Sequence, residues 1–363
     1  MFYPRTMQYI IHFGKEEKLA KRELQEYLKI KNEPHTLKQL YERFYLFEIK
    51  NAPSIKHLGN VLRIAQVYST SPLPEEIEAE LKDKELYNES SNVTSYHIVD
   101  LNSTTKDFYE DYLKEYFKKI ACKAMYKKIK TIPTTEDLYR KGFPRTYTEY
   151  LLIKDYFAKT NDVSNTKERK KEEEKFPYQR TTPTNFAITL LNLAHVKPKD
   201  RIIVPFAGIG SLCFEALDRN ATVFATTKNL RQIKSNRNYY TRKKKSQAEL
   251  HIVPNFSEHG EDQSVDAIVC DPYFSLPDER TKKRMYEKFK QITYMYRTLF
   301  QEVTPILKPH APIIFTLPIV RRGKEQLKPQ LRHIIGKEIT YKDEINIDSE
   351  HGVGRTIYIC EKA

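Results

Sequence analysis

Asp271-Pro272-Tyr273-Phe274 ends the apolar run "VDAIVC", and Gly208 and Gly210 close another, "RIIVPFAGIG". Continuous apolar runs of this kind read as buried strands of a parallel sheet. Pro272 cannot continue a ladder, so the strand stops there. That leaves an acidic side chain, a backbone carbonyl and two aromatic rings at the carboxyl end of a strand, the place where open α/β sheets bind ligands. The glycines let the chain turn tightly between strand and helix and approach a ligand without a Cβ clash. The helix start after them, "SLCFEAL", favours an anion or a polar group. Both stretches also suit a plain structural reading: a strand stop with two core rings, and a tight turn that holds nothing.

The elements that must position these residues follow an alternating rhythm. After Pro183, "TNFAITLLNLAHV" reads as a helix, "RIIVPFAGIG" as a strand and turn, "SLCFEALDR" as a helix, "ATVFATTKN" as a strand and "LRQIKSNRNYYTRKKK" as a helix. "ELHIVPN", "VDAIVCDPYF", "APIIFTLP" and "RTIYICEK" read as further strands, with the helix "RMYEKFKQITYMYRTLFQEVTPIL" among them. Alternation of this kind predicts a doubly wound, Rossmann-like α/β domain over 183–363. Residues 1–160 read as an α+β unit: strands at "QYIIHF", "RFYLFEIK", "LRIAQVYS" and "SSNVTSYHIVDL", helices at "EEKLAKRELQEYLKI" and "TKDFYEDYLKEYFKKIACKAMYKKIK", and one or two strands in "TEYLLIKDYFAKT". Between the two, 161–182 is dense in charge without apolar period and reads as an exposed linker.

The chain has 363 residues, enough for about two domains, and its 62 Lys and Arg against 48 Asp and Glu give a net charge of +14. That balance favours a polyanionic partner, nucleic acid above all, or reflects a generally Lys-rich composition. Lysines and aromatics gather in "KEYFKKIACKAMYKKIK", with Lys123, Lys127 and Lys128, and again at Arg321 and Arg322 just past "IIFTLP". Phosphate contacts there give affinity that falls with salt; a solvated basic face is the plain reading. Cys122, Cys213, Cys270 and Cys360 form no CxxC pair, so neither a zinc ribbon nor a disulfide framework is expected. His195, His251 and His310 share no spacing that would make them metal ligands, and no metal is expected. No apolar stretch reaches membrane-spanning length and the start is unlike a signal peptide, so a cytoplasmic protein with no membrane is expected. There is no H-E-x-x-H, G-x-S-x-G or P-loop pattern. A dinucleotide dehydrogenase would want an acid after the second strand, where Thr227 stands.

Taken together, a glycine turn after the first strand and D-P-x-aromatic after the fourth resemble a class I methyltransferase that works on an exocyclic amine. The segment "TPTNFAITLLNLAHVKPKDRIIVPFAGIGSLCFEAL", the turn "DAIVCDPYF", the closing "EHGVGRTIYIC" and the amino-terminal "HLGNVLRIAQVYS" resemble, in order, the tRNA guanine-N2 methyltransferases that carry a THUMP domain. The resemblance implies an N-terminal α+β THUMP-like RNA-binding domain and a C-terminal methyltransferase domain, S-adenosylmethionine as cofactor and tRNA as substrate. It leaves open a small activating subunit. Asp271 and the Pro272 carbonyl would accept hydrogens from the base amine, and Phe274 would stack on the base. Pro205, Gly208, Gly210, Thr227 and Asn255 would hold the cofactor. The chain departs from the family at Val204, Thr227, Asn255 and Tyr273, where an acid is expected at the first three of these places and a second proline at the last. Neutral residues lose charge-assisted hydrogen bonds. Two readings stand: an active tRNA base methyltransferase with an altered pocket, or a catalytically inactive relative that binds RNA or serves as a partner subunit.

Overall fold

The computed structural model describes residues 7–31, 33, 35–50, 53–87, 91–128, 147–163, 171–172, 174–178, 182–244, 249–256, 263–274, 282–322, 325–347 and 353–363. The chain is α/β and forms two compact units, Met1–Leu24 with Lys31–Glu168, and Gln25–Ile30 with Arg169–Ala363. Each is built on a sheet of eight strands.

In the first unit the strands are β1 (Met7–Phe13), β2 (Thr36–Tyr41), β3 (Phe44–Ile49), β4 (Val61–Ser69), β5 (Val93–Leu101), β6 (Lys123–Tyr126), β7 (Tyr147–Ile153) and β8 (Tyr156–Val163). They lie in the order β2-β3-β1-β4-β8-β7-β5-β6. β5 runs parallel to β6 and β7, and the other pairings are antiparallel. Helix α1 (Glu17–Ile30) buries Leu19, Leu24 and Leu28 at helical spacing. Its buried Glu23 accepts from the Gly59 and Asn60 amides at 2.6 and 3.0 Å, which fixes the turn ahead of β4. α2 (Pro74–Leu81) was not evident in the sequence.

The expected long basic helix divides in two. α3 spans Lys106–Lys119, and the chain then turns through Ala121, at φ 54°, into strand β6. The Cys122 amide donates to Phe117 O at 3.0 Å, ending the helix, and the Lys123 amide joins Asn92 O at 2.8 Å. Tyr126 settles against Tyr96 at 5.4 Å and donates to Glu110 at 2.7 Å. Lys123, Lys127 and Lys128 are therefore exposed on and just beyond an edge strand rather than on a helix.

One polar network crosses the middle of this sheet. Glu149 on β7 accepts from Arg63 Nε on β4 at 2.7 Å and from Thr160 Oγ1 on β8 at 2.8 Å, and meets His97 Nε2 on β5 at 3.0 Å. Arg63 reaches His12 Nδ1 on β1 at 3.0 Å. These residues occupy five adjacent strands, and Arg63, Glu149, His97 and His12 are buried. Burial would raise the Glu149 carboxyl, but Arg63 and His97 hold it down to about 2. Burial first, and Arg63 second, push the His12 imidazole down to about 3. Both groups bind protons less readily folded than unfolded, so both destabilise the fold as pH falls. The melting temperature is expected to decline as pH drops below about 6.5, from His12, and more steeply below about 4.5, from Glu149. Thermal melts of wild type and His12→Phe across that range check this, and the variant should lose the earlier decline.

The second unit contains α4 (Thr184–Leu193), β9 (Arg201–Val204), α5 (Ser211–Leu217), β10 (Thr222–Ala225), α6 (Leu230–Lys244), β11 (Leu250–Ile252), β12 (Ala267–Cys270), α7 (Lys282–Val303), β13 (Pro312–Arg322), β14 (Glu325–Leu327), β15 (Ile339–Ile347) and β16 (Val353–Lys362). The sheet order is β11-β10-β9-β12-β13-β16-β15, with β14 on β13. β9 to β13 are mutually parallel, and β16 is antiparallel to both its neighbours. β9 and β10 are consecutive in the chain, but β9's other neighbour is β12, so the winding reverses at β9. Neither β14 nor β15 was anticipated. β13 runs on to Arg322 rather than ending at Pro318, because Pro318 stays in register with Arg355 on β16. Part of the expected linker is packed: the Phe176 ring lies 5.3 Å from Phe214 and 4.9 Å from Tyr239. All four cysteines are buried free thiols. Among the described residues no helix is long and apolar enough to cross a membrane.

Candidate active site

The reversal at β9 opens a crevice outside the carboxyl ends of β9 and β12, where such sheets bind ligands. A cavity of about 1060 Å³ occupies it, reaching Pro205, Gly208, Thr227, Asp271 and Pro272. Five of the predicted site residues thus share one space.

The glycine loop is built from both sides. Ala207 N donates to Thr226 O at 2.8 Å, and the Thr227 hydroxyl donates to Gly208 O at 2.7 Å while accepting from Asn229 N at 2.9 Å. Gly208, at φ 56°, faces the cavity. Gly210 does not line it. Its φ of 98° is left-handed, and a Cβ there would lie 2.7 Å from the Phe214 ring and 3.2 Å from Ile233. That glycine seats the loop against α5 and α6. Asn236 on α6, fully buried, donates to Ile209 O at 3.1 Å and to Tyr178 O at 3.2 Å, and accepts from Tyr178 N at 3.1 Å. Sequence reasoning passed over it as one polar residue of a basic helix.

On the other wall, Cys270 Sγ lies 3.8 Å from Pro205 O and 3.7 Å from the Tyr296 hydroxyl, which in turn donates to Thr316 O at 2.7 Å. Burial pushes the Cys270 thiol and the Tyr296 phenol upward, so both stay neutral. Asp271 emerges next, its side chain only 1% exposed. Oδ1 accepts from Thr316 Oγ1 at 2.8 Å and Arg355 Nη1 at 3.0 Å. Oδ2 accepts from Thr182 Oγ1 at 2.8 Å and the same Nη1 at 2.8 Å. A carboxylate offers about four acceptor directions, and four donated bonds already converge here. Arg355, a third exposed, lies over the Phe186 ring at 5.4 Å.

The two rings after Pro272 divide. Phe274 is half-buried against the core under α7 and does not line the cavity. Tyr273, 77% exposed, does line it. Among the described residues, the ring that lines the cavity is therefore that of Tyr273, and the expected Phe274 packs against the core. Asn255 is likewise outside the lining, although Pro254 and Phe256 on either side of it are in it. A carboxylate reaches this end of the cavity from elsewhere: Glu302 on α7 accepts from Phe256 N at 2.5 Å. Asp271 and Glu302 are the acids among the lining residues, and Lys228 and Lys234 the bases.

The backbones of Arg321 and Arg322 pair with Gln326 and Glu325, and their side chains lie outside the described residues. His251 stacks on Phe224 at 5.0 Å, and among the described residues no group of three or more His, Cys, Asp and Glu is arranged to hold a metal.

No protein-family model matches the chain, and no curated protein matches it. Solved structures do. TrmN from Thermus thermophilus is similar over 98% of this chain and 100% of its own, with 13% identity and a TM-score of 0.53. A possible methylase from Clostridium difficile 630 is similar over 99% of both chains, with 10% identity and a TM-score of 0.46. The likeness to TrmN is one of fold, and it extends through both units.

Proposed function

We propose that this chain is an S-adenosylmethionine-dependent methyltransferase acting on an exocyclic amine of a base in tRNA, with guanine N2 as the first candidate atom. The observation that carries the reading is the shared cavity: the Gly208 backbone and the Asp271 carboxylate line one space where the strand order reverses. The full-length fold likeness to TrmN supports it, as does the ordered resemblance of four sequence segments to THUMP-domain tRNA guanine-N2 methyltransferases.

The cavity is large enough for a nucleoside-sized cofactor and a base together. The 205–208 backbone permits close approach, and Leu212, Ile252, Val253 and Leu299 give an apolar wall for an adenine. The fit departs at the ribose, where Thr227 already donates its proton to Gly208 O and Lys228 comes next in the chain. Glu302 supplies a carboxylate at the 254–256 turn instead. When bound, the cofactor supplies an electrophilic methyl group. The chain's own residues would orient the nucleophile. Asp271 and the Pro272 carbonyl accept the amine's hydrogens and aim its lone pair, and Tyr273 stacks on the base, a contact worth about 1–3 kcal/mol. Arg355 and Thr316 hold the carboxylate in one orientation. Positioning of this kind supplies on the order of 7–11 kcal/mol of the barrier. The base leaves its stack to enter, and its amine takes over the acceptor direction held by Thr182, the neutral donor that faces the cavity. The first unit, with exposed Lys123, Lys127 and Lys128, would supply RNA affinity, with 161–182 as connection and 183–363 as the methyltransferase domain.

The full set of donors on Asp271 and the missing ribose acid favour a second reading, an inactive relative that binds RNA. Calorimetry with S-adenosylmethionine separates the two, combined with mass spectrometry of tRNA nucleosides after incubation with the purified chain. Heat of binding and N2-methylguanosine are expected. Absence of heat at millimolar cofactor, with RNA still bound, favours the binding module.

A further inference from the structure

Helix α7 carries a stripe that has no part in orienting the amine. Tyr286, Lys290, Tyr294 and Arg297 fall at helical spacing on one face, alternating ring and cation, and all four are exposed. Tyr294 is 74% exposed and Tyr286 50%, so both rings stand open to solvent on the outer face of this amphipathic helix. Opposite them lies the segment 328–333, and a groove of about 330 Å³ separates the two, lined by this stripe together with Lys328 and His333. No carboxylate is among its lining residues. Lys328 is tied to Glu344 at 2.7 Å, whereas Lys290 and Arg297 have no carboxylate within 4 Å among the described residues. Tyr294 lines both this groove and the Asp271 cavity, whose mouth also carries the exposed ring of Tyr273.

We propose that the α7 face and segment 328–333 form a track for a single-stranded run of RNA that leads the target base to the Asp271 cavity. The proposal rests on the reading that RNA is the substrate. Unpaired cations beside exposed rings suit one partner best: phosphates take the Lys290 and Arg297 charges while bases stack on Tyr286 and Tyr294. The two rings stand about 12 Å apart along the helix, room for a short unstacked stretch. A duplex would reach the cations but not the rings, because its bases stay paired. The track therefore selects RNA that is open next to the modified nucleotide.

The test uses the full chain with a fluorescein-labelled tRNA pool and a labelled single-stranded RNA of about twelve nucleotides, binding being followed by anisotropy across a salt series. Lys290→Glu/Arg297→Glu should weaken both and flatten the salt slope by about 0.7 for each phosphate no longer neutralised. Tyr286→Ala/Tyr294→Ala should weaken the single strand roughly thirtyfold or more with the slope retained, and Tyr286→Phe/Tyr294→Phe should restore it, since the ring rather than the hydroxyl makes the contact. Melting curves control for folding. Should the charge-reversed chain fail to fold, Lys290→Ala/Arg297→Ala gives the same change in slope. If wild type binds RNA and all these variants bind it equally well, the track is overturned, the outcome an acidic protein partner on this face would give. If wild type binds no RNA, the substrate reading falls and takes the track with it.

Discussion

Asp271→Ala is expected to lower methyl transfer by about two to three orders of magnitude, comparable to removing one preorganised polar group from a reacting centre. The carboxylate is nearly inaccessible to water and held by Arg355, Thr316 and Thr182, so its acceptor directions are set before substrate arrives. The same substitution leaves Arg355 without its carboxylate. Arg355 is a third exposed and turns toward water, so the stability loss is about 1–3 kcal/mol, less than for a fully buried pair. The double variant Asp271→Ala/Arg355→Ala separates the effects: it should recover part of the stability and none of the rate. Thr182→Val should act in the other direction, freeing the acceptor site that the proposed base amine would occupy. KM for tRNA should fall a few-fold, since one competing hydrogen bond to a charged group is gone. Steady-state methylation kinetics and thermal melts of the three variants decide the matter. An Asp271→Ala chain that methylates within a few-fold of wild type would make this carboxylate a brace for β16 and place the amine acceptor elsewhere.

The contrast between what the sequence shows and what it hides follows from distance along the chain. β9 and β12 are legible because strands buried on both faces read as unbroken apolar runs, "RIIV" and "AIVC". Their carboxyl-end residues, Pro205 and Asp271, are legible for the same reason. β15 is not: "ITYKDEINI" lies at the sheet edge with most of its side chains wet, and its charges imitate a loop. β6 hides behind lysines that continue the look of α3, although its "KAMY" alternates exposed and half-buried as a strand does. The donors to Asp271 come from Thr182, Thr316 and Arg355, separated from it by 89, 45 and 84 residues, and local spacing carries no trace of such pairings. The carboxylate beside Asn255 comes from Glu302, on a helix 46 residues beyond the Phe256 amide it binds. The two glycines look alike in sequence and both adopt a positive φ; the Phe214 ring, which would lie 2.7 Å from a Cβ at Gly210 and is visible there only once α5 is in place, distinguishes the one that packs from the one that faces the cavity.

Glu149→Gln is expected to cost about 3–5 kcal/mol, a large share of the 5–15 kcal/mol that typically holds a domain folded. The substitution keeps shape and volume but strands the Arg63 guanidinium, 3% exposed, without a counter-charge and sets an amide NH2 against donors from Arg63 or His97. Because the network links β1, β4, β8, β7 and β5, the loss falls on the register of the sheet's centre rather than on one edge. A charge network of this kind does not imply that charge is the most stable solution there. Burying ions is costly, and an apolar set of similar volume often does as well or better. Arg63→Met/Glu149→Leu should therefore recover most of what Glu149→Gln loses, and the Glu149 share of the decline below about 4.5 should vanish along with the titrating carboxylate. Denaturant melts of the full chain, read at neutral pH and again below about 4.5, test both statements. If the double variant were as unstable as the single one, the network would be holding strand register in a way that no apolar packing replaces.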